Sequence, residues 1–278
     1  MIERAIYSLW TKPMTQGYVG FNSEKALMEC FALSLHYSKK WFKEIHFITD
    51  IKGKKLIEKY GLTFDSISTE LEEALKDTSV RDWSLGKIYA CKIQDKPFIH
   101  IDNDVILFKK LPDSFLSKDA VFQSSERNNW PFYHDMMHFD AANYKQKPEW
   151  YDTQILKAYN CGLLGFNKLN FLDEWWETSV RHVEYLKQYN GYPDIGLLTG
   201  LTYEQQYVGC LCEYYNYSVG LLTHYDDTDP YTETIDDKLA EKLGYTHLLA
   251  QCKREKLTED KVTLRLVLDE IRIPGINN

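Results

Sequence analysis

Residues 97–108 read PFIHIDNDVILF, and this stretch decides the class of fold. Phe98 to Ile101 carries the signal of a buried strand, runs straight into Asp102, Asn103 and Asp104, and is followed by a second apolar run, Val105 to Phe108. In open α/β sheets ligands sit outside the carboxyl ends of the strands, so acids at this strand end point into the expected cleft.

Upstream, short apolar strands alternate with helical segments. Ala5 to Leu9 reads as the first strand, and Asn22 to Ser38 as a helix with Ala26, Leu27, Cys30, Phe31, Leu33 and Ser34 at helical spacing and Asn22 or Ser23 as N-cap. Ile45 to Thr49 is a second strand ending at Asp50, followed by a helix over Lys52 to Tyr60 that stops at Gly61. Thr63 to Ile67 reads as a third strand and Asp82 to Ile93 as a helix. Over the first hundred residues this alternation predicts an α/β protein with a parallel sheet covered by helices on both faces.

Downstream the chain is less regular and richer in aromatics. Residues 126–152 show little period and read as a long loop of the kind that forms lids and binding loops. Cys161 to Phe166 is a short apolar stretch, Phe171 to Tyr189 an amphipathic helix, Thr199 to Cys212 a further helix, and Thr258 to Ile271 a tail of alternating charged and apolar residues. No internal repeat or linker breaks the chain, which predicts one domain over 1–278. Within it, 1–110 is the half expected to bind a nucleotide, 111–255 the less regular, aromatic-rich half and 256–278 a tail.

Composition narrows the function. With 33 Lys+Arg against 41 Asp+Glu the net charge is −8, which argues against a nucleic-acid binder working through a broad basic face. A small phosphorylated ligand stays compatible with that balance. The six cysteines (Cys30, Cys91, Cys161, Cys210, Cys212, Cys252) form no CxxC pair, so reduced buried thiols are expected. The N-terminal MIERAIYSLW lacks a signal-peptide core, and no apolar stretch approaches the ~20 residues needed to span a bilayer. A cytoplasmic protein is expected, and a membrane-peripheral position is compatible with these features.

An Asp-x-Asp pair is common by chance, and this chain has a second at Asp227 and Asp229, which reads as a solvated turn. For Asp102 and Asp104 the bland alternative is a β-turn. The chemistry that uses such a pair is hard-cation binding in front of a diphosphate, and a third ligand from far along the chain would support it. His247 is the candidate. His134 and His138 form a competing i, i+4 pair with zinc-site spacing, but no third ligand lies near them. The aromatics around them (Trp130, Phe132, Tyr133, Phe139, Tyr144, Trp150, Tyr151) suit an acceptor platform or a core.

Three segments together resemble the GT-A glycosyltransferases, in particular the retaining glycogenin, galactinol synthase and lipopolysaccharide galactosyltransferase group. They are Asp102-Asn103-Asp104 at a strand end, Asn160-Cys161-Gly162 before an apolar strand, and His247 with Lys253 six residues on. The resemblance covers roughly residues 5 to 254 and departs at two places. The group's phosphate-side glycine is Ala250, and its Pro-Trp is Arg254-Glu255.

The resemblance implies a Rossmann-like nucleotide-diphospho-sugar transferase fold with a mixed central sheet. It implies Asp102, Asp104 and His247 as ligands for Mn2+ or Mg2+, and Lys253 as the diphosphate's counter-charge. Lys87 becomes a second phosphate or donor-sugar contact, with an exposed helix lysine as the alternative. Ser8, Trp10 and Asp50 fall where base and ribose lie in such a fold. Asn103, Asn160, Gly162 and Ala250 complete the substrate set. Glu204 and Gln205, in TGLTYEQQY, sit where the retaining group has an acid followed by Gln near the anomeric carbon, and Asp194 is an alternative carboxylate.

The expected activity is hexosyl transfer from a nucleotide diphosphate sugar, with UDP-sugar as donor, to a glycan or lipid-linked acceptor hydroxyl. The rivals are a sugar-nucleotidyltransferase-like enzyme and a non-catalytic nucleotide-sugar binder. The first is disfavoured because the Gly-rich, Arg-containing loop it needs is replaced by SLWTKPMTQGYVG.

Overall fold

The computed structural model describes residues 2–16, 20–126, 131–154, 156–188, 196–223 and 237–276. Along the chain run β1 (Arg4–Leu9), α1 (Glu24–Trp41), β2 (Glu44–Thr49), α2 (Ile51–Lys59), β3 (Ser66–Ser68), α3 (Leu71–Ala74), α4 (Leu85–Lys92), β4 (Phe98–Ile101) and β5 (Val105–Ile106). Then come α5 (Asp113–Leu116), β6 (Ala120–Ser125), α6 (Pro131–Asn143), β7 (Tyr159–Phe166), α7 (Leu172–Lys187), α8 (Gly196–Leu201), α9 (Tyr207–Tyr214), β8 (Val219–Leu221), α10 (Asp237–Leu243), β9 (Thr246–His247) and α11 (Lys256–Leu268).

The described strands form a seven-stranded sheet in the order β3-β2-β1-β4-β7-β6-β8, so the chain is an α/β protein with a mixed central sheet. β1 lies parallel to both β2 and β4, whereas β7 runs antiparallel to β4 and β6. The connections leave β1 first toward β2 and β3 and then return to its other side at β4, which makes the β1/β4 boundary a topological switch point. A second pair, β5 with β9, is antiparallel and places Val105 opposite His247.

Side chains alternate across the sheet as a two-residue period requires. Ala5, Tyr7 and Leu9 of β1 enter the core shared with α1 and α11, whereas Ile6 enters the core shared with α4 and α7. Helix α1 starts where Ser23 Oγ accepts from the Ala26 amide at 3.1 Å, and Lys39 and Lys40 complement its C-terminal dipole. All six cysteines are buried. No helix among the described residues is long and apolar enough to cross a membrane.

Two segments differ from the sequence reading. Within 126–152, residues 131–143 form helix α6, and the tail begins with helix α11. Helix α6 escapes a periodicity argument because Asp140 occupies one of its buried positions. Its carboxylate accepts from Tyr151 Oη at 2.8 Å and meets His182 Nε2 at 3.0 Å, and the other face of that imidazole system reaches Tyr207 Oη at 2.5 Å. Helix α11 exposes Leu257, Leu264, Val267 and Leu268 while burying Thr258, Val262 and Leu266, so no single face of it is apolar.

Asp82, ahead of α4, is buried, and burial pushes its carboxyl up to about 6. A pKa raised by folding gives stability that is complete at low pH and is lost as pH rises through the folded value. Asp82→Asn is therefore expected to be more stable than the wild type at pH 7, on the order of 1 kcal/mol, and indistinguishable from it near pH 4. Urea denaturation at the two pH values measures this.

Candidate active site

At the end of β4 the Asp102 amide donates to Gly162 O at 2.8 Å, the last link to β7, and Val105 N then bonds back to Asp102 O at 3.0 Å. This tight turn presents Asp102 and Asp104 on the same side of the sheet edge, and β5 departs toward β9. Leu248 N donates to Asp104 O at 3.0 Å, so the β9 strand is stitched to the Asp-x-Asp turn and carries His247 with it. One ligand atom each from Asp102, Asp104 and His247 falls within 4.8 Å of the others.

The imidazole is oriented from behind. Gln123 Oε1, on β6, can only accept, so His247 Nδ1 donates to it at 2.8 Å and Nε2 turns its lone pair toward Asp104 Oδ1, 3.5 Å away. That carboxylate oxygen is buried and has no hydrogen-bond partner among the described residues. Two electron-rich atoms facing one another call for a cation between them. Two carboxylates and one imidazole form an O,O,N donor set that fits a hard or borderline divalent ion.

Gly162 makes room for this arrangement. A Cβ at that position would lie 2.3 Å from His247 Cε1, 2.5 Å from Nδ1 and 2.7 Å from Gln123 Oε1. Gly162→Ala is expected to push the ring off Gln123 and weaken Mn2+ binding roughly 10- to 100-fold, the range seen when a ligand's supporting shell is lost. The circular dichroism spectrum should be unchanged, and Mn2+ titration measures the loss.

Two lysines, Lys87 buried and Lys253 partly buried, divide the negative charge. Lys87, on α4, donates to Asp102 Oδ2 at 2.8 Å, Glu204 Oε1 at 2.6 Å and Cys161 O at 2.9 Å. Burial works against its charge, but the two carboxylates outweigh it and hold the ammonium above its ordinary pKa. Lys253 pairs with Asp104 Oδ2. Burial would raise Asp104, but the Lys253 ammonium beside it holds its carboxyl well below the usual range. Glu204 goes the other way, because burial outweighs Lys87 and lifts its carboxyl to about 7.

Glu204 and Gln205 lie in a π-helical turn, Thr202–Gln206, between α8 and α9. Such wide turns recur at functional sites because they re-aim side chains within a helix. Here Glu204 meets Lys87, and Gln205 Oε1 accepts from Tyr133 Oη of α6.

The remaining candidates are dispersed around this centre. Ser8 Oγ hydrogen-bonds His100 Nε2 at 2.8 Å. Trp10 is buried in the core at the end of β1. Asp50 caps α2, accepting from Gly53 N at 2.7 Å, and also from Thr11 N at 2.7 Å and Thr11 Oγ1 at 2.8 Å, so both of its oxygens hold scaffold. Asn103 Nδ2 is 3.5 Å from Ser8 O, with its Oδ1 buried and without a partner among the described residues. Asn160 accepts from Gly162 N and donates to Glu126 Oε1, both at 3.0 Å. Ala250 opens the 3-10 turn that ends at Arg254. Asp194, Asp227, Asp229 and Trp130 lie outside the described residues. His134 and His138 share α6 with ring centroids 6.5 Å apart, and the cluster among the described residues able to hold a metal is the Asp102, Asp104, His247 group.

A family model described as a family of unknown function, DUF6734, matches residues 3–271. The chain belongs to this family. No curated protein matches the DUF6734 chain in sequence. Solved structures similar to it include mouse xyloside xylosyltransferase 1 in its apo form, at 11% identity and a TM-score of 0.42, covering 93% of this chain and 96% of that one. Another is the galactosyltransferase LgtC in complex with donor and acceptor sugar analogs, at 10% identity and a TM-score of 0.43, covering 98% and 97%.

In the DUF6734 chain several site neighbours carry no motif that sequence reasoning could use. Gln123, Tyr133 and Glu126 each act on a candidate residue from another element. His100 is the exception: a histidine in an otherwise apolar buried strand, two residues before Asp102, is a signal in itself. Burial holds its imidazole well below the usual range, and its Nδ1 lies 3.6 Å from Asp102 Oδ1.

Proposed function

We propose that the chain is a metal-dependent glycosyltransferase that moves a hexose from a nucleotide diphosphate sugar, with UDP-sugar as donor, to a hydroxyl of a glycan or lipid-linked acceptor, with retention at the anomeric carbon. The observation that carries this reading is the convergence at the β1/β4 switch point of Asp102, Asp104 and His247, with Lys253 on Asp104.

Asp102, Asp104 and His247 would hold Mn2+ or Mg2+, which when bound supplies Lewis-acid stabilisation to a departing nucleotide diphosphate. Lys253 offers the diphosphate a point charge. Across the turn, Lys87 fixes Glu204, and Tyr133 fixes Gln205. These two side chains supply the polar atoms that stabilise positive charge at the sugar while its bond to the diphosphate oxygen breaks and the acceptor oxygen bonds on the same face, the acceptor's proton passing to the released nucleoside diphosphate. In this reading residues up to about 110 handle the donor together with Glu204, Gln205, His247 and Lys253, and the remaining surface of the segment 111–255 receives the acceptor. The protein acts in the cytoplasm, and association with a membrane surface would accompany a lipid-linked acceptor.

Incubation with a panel of UDP- and GDP-sugars and Mn2+ tests the assignment. Slow release of free hexose and nucleoside diphosphate from one donor is expected. Binding of a donor without any turnover, with and without candidate acceptors, would favour a nucleotide-sugar binder instead.

A further inference from the structure

Asp104 is claimed twice. Its Oδ2 is paired with the Lys253 ammonium, and its Oδ1 faces the His247 lone pair across 3.5 Å. Asp104 and His247 are buried and Lys253 is partly so, so a divalent ion entering between Asp104 and His247 would meet an ammonium already seated on the same carboxylate, in a site that solvent screens only partly. A second ammonium, Lys87, already sits on Asp102. The two carboxylates are thus each neutralised from within.

Lys253 also sits in a mount that holds its turn in place independently of Asp104. Gly20, at φ +91°, lies against its stem, since a Cβ there would be 3.1 Å from Lys253 Cδ. The Phe21 ring centroid is 5.5 Å from the ammonium. This short strap is fastened to the lysine's own turn: Arg254 Nε donates to Gly20 O at 3.3 Å, and Asn22 Nδ2 donates to Arg254 O at 2.9 Å and to Glu259 Oε1 at 3.0 Å. A small cavity lined by Phe21, Glu29, Lys253 and Thr258 adjoins the stem. The lysine's turn is thus pinned to the strap, with that cavity beside the side chain.

We propose that Lys253 is an internal counter-cation that competes with the divalent ion for Asp104, so that the ion binds tightly only when a diphosphate gives the displaced ammonium another anion. Metal and nucleotide then bind cooperatively, and by linkage each raises the other's affinity by the same factor. Arg254, at the position where the resembled group has proline, acts as a positioning residue by tying the lysine's turn to the strap. This inference rests on the metal site assigned above and adds the order in which it is filled.

Mn2+ titration followed by electron paramagnetic resonance on the full chain, with Mn2+ alone and with Mn2+ plus UDP, separates the possibilities. For the wild type, UDP is expected to tighten Mn2+ binding at least tenfold. Lys253→Met should bind Mn2+ alone at least tenfold more tightly than the wild type and lose most of the UDP enhancement. Lys253→Gln should behave like the Met variant, whereas Lys253→Arg, which keeps the charge, should retain the wild-type contrast. Circular dichroism identifies which of the two uncharged variants is folded and can be read.

Uncharged variants that bind Mn2+ alone no better than the wild type, with the UDP enhancement intact, would overturn the competition. A wild type that binds no Mn2+ even with UDP would instead overturn the metal site itself.

Discussion

Asp104→Asn is expected to lower turnover of a competent donor by roughly 10^3-fold, equivalent to about 4 kcal/mol of transition-state stabilisation. The substitution keeps the shape of the side chain and removes the charge that His247 and Lys253 both address. An amide is a poor ligand for a divalent ion beside one remaining carboxylate, so the loss should appear in turnover and in Mn2+ affinity together. The variant should also be less stable, because Lys253 is left partly buried without its partner, a change that costs roughly 3 kcal/mol or more. In the wild type the lowered Asp104 pKa contributes stability that is present above the ordinary carboxyl range and is lost only as pH falls through the folded value. The stability gap between wild type and variant should therefore persist at pH 7 and at pH 5. Steady-state rates corrected for folded fraction, with melts at both pH values, would separate the two effects. An unchanged rate would remove Asp104 from the machinery.

The second large effect is expected at Lys87. Its ammonium is the shared partner of Asp102 and Glu204, two carboxylates from elements far apart in sequence. Lys87→Met keeps the stem and removes the charge, leaving two acids facing one another in a buried site. Breaking such a group by removing one partner costs about 3–5 kcal/mol. The sign of the pH dependence follows from what remains. Both carboxyls gain protons more readily once the cation is gone, and Glu204 already sits at about 7 with the cation present. The variant should therefore recover stability as pH falls from 8 to 5, with the gap to wild type widest at the alkaline end. Urea denaturation at pH 5 and 8 tests this. A gap below about 1 kcal/mol at both, the size of a surface pair, would mean that Lys87 is not the buried keystone described above.

The legibility of the sequence divides along physical lines. The Asp-x-Asp turn was readable because β4 is a nearly unbroken apolar run laid parallel to β1, and an acid at the end of such a strand has one natural direction. The cap of α1 was readable too, since Ser23 does what its residue type favours. Asp50 shows the limit of that reasoning. A strand-end acid suits a ribose, but here both carboxylate oxygens tie the chain after β1 to the first turn of α2.

His247 was placed by motif spacing and not by any element, because the β5–β9 ladder that carries it is two residues long on each side, shorter than any periodic signal. Helix α6 was hidden because a buried Asp140 interrupts its apolar stripe, and α11 because it shows leucines to solvent. Lys87 had an exposed helix lysine as its bland reading. It is 8% exposed, since its two acidic partners come from β4 and from a π-helical turn whose position no local pattern reveals. Local propensity described the scaffold well, whereas the charges that meet at the site came together through long-range pairing.

Calorimetric titration of UDP into the full chain, with Mn2+ and with the metal chelated, tests the central claim most directly. The account predicts strong binding with Mn2+ and a loss of at least tenfold in affinity without it, with the difference abolished in Asp104→Asn. Equal affinity in the two conditions would contradict the assignment of Asp102, Asp104 and His247 as a metal site that receives a nucleotide diphosphate.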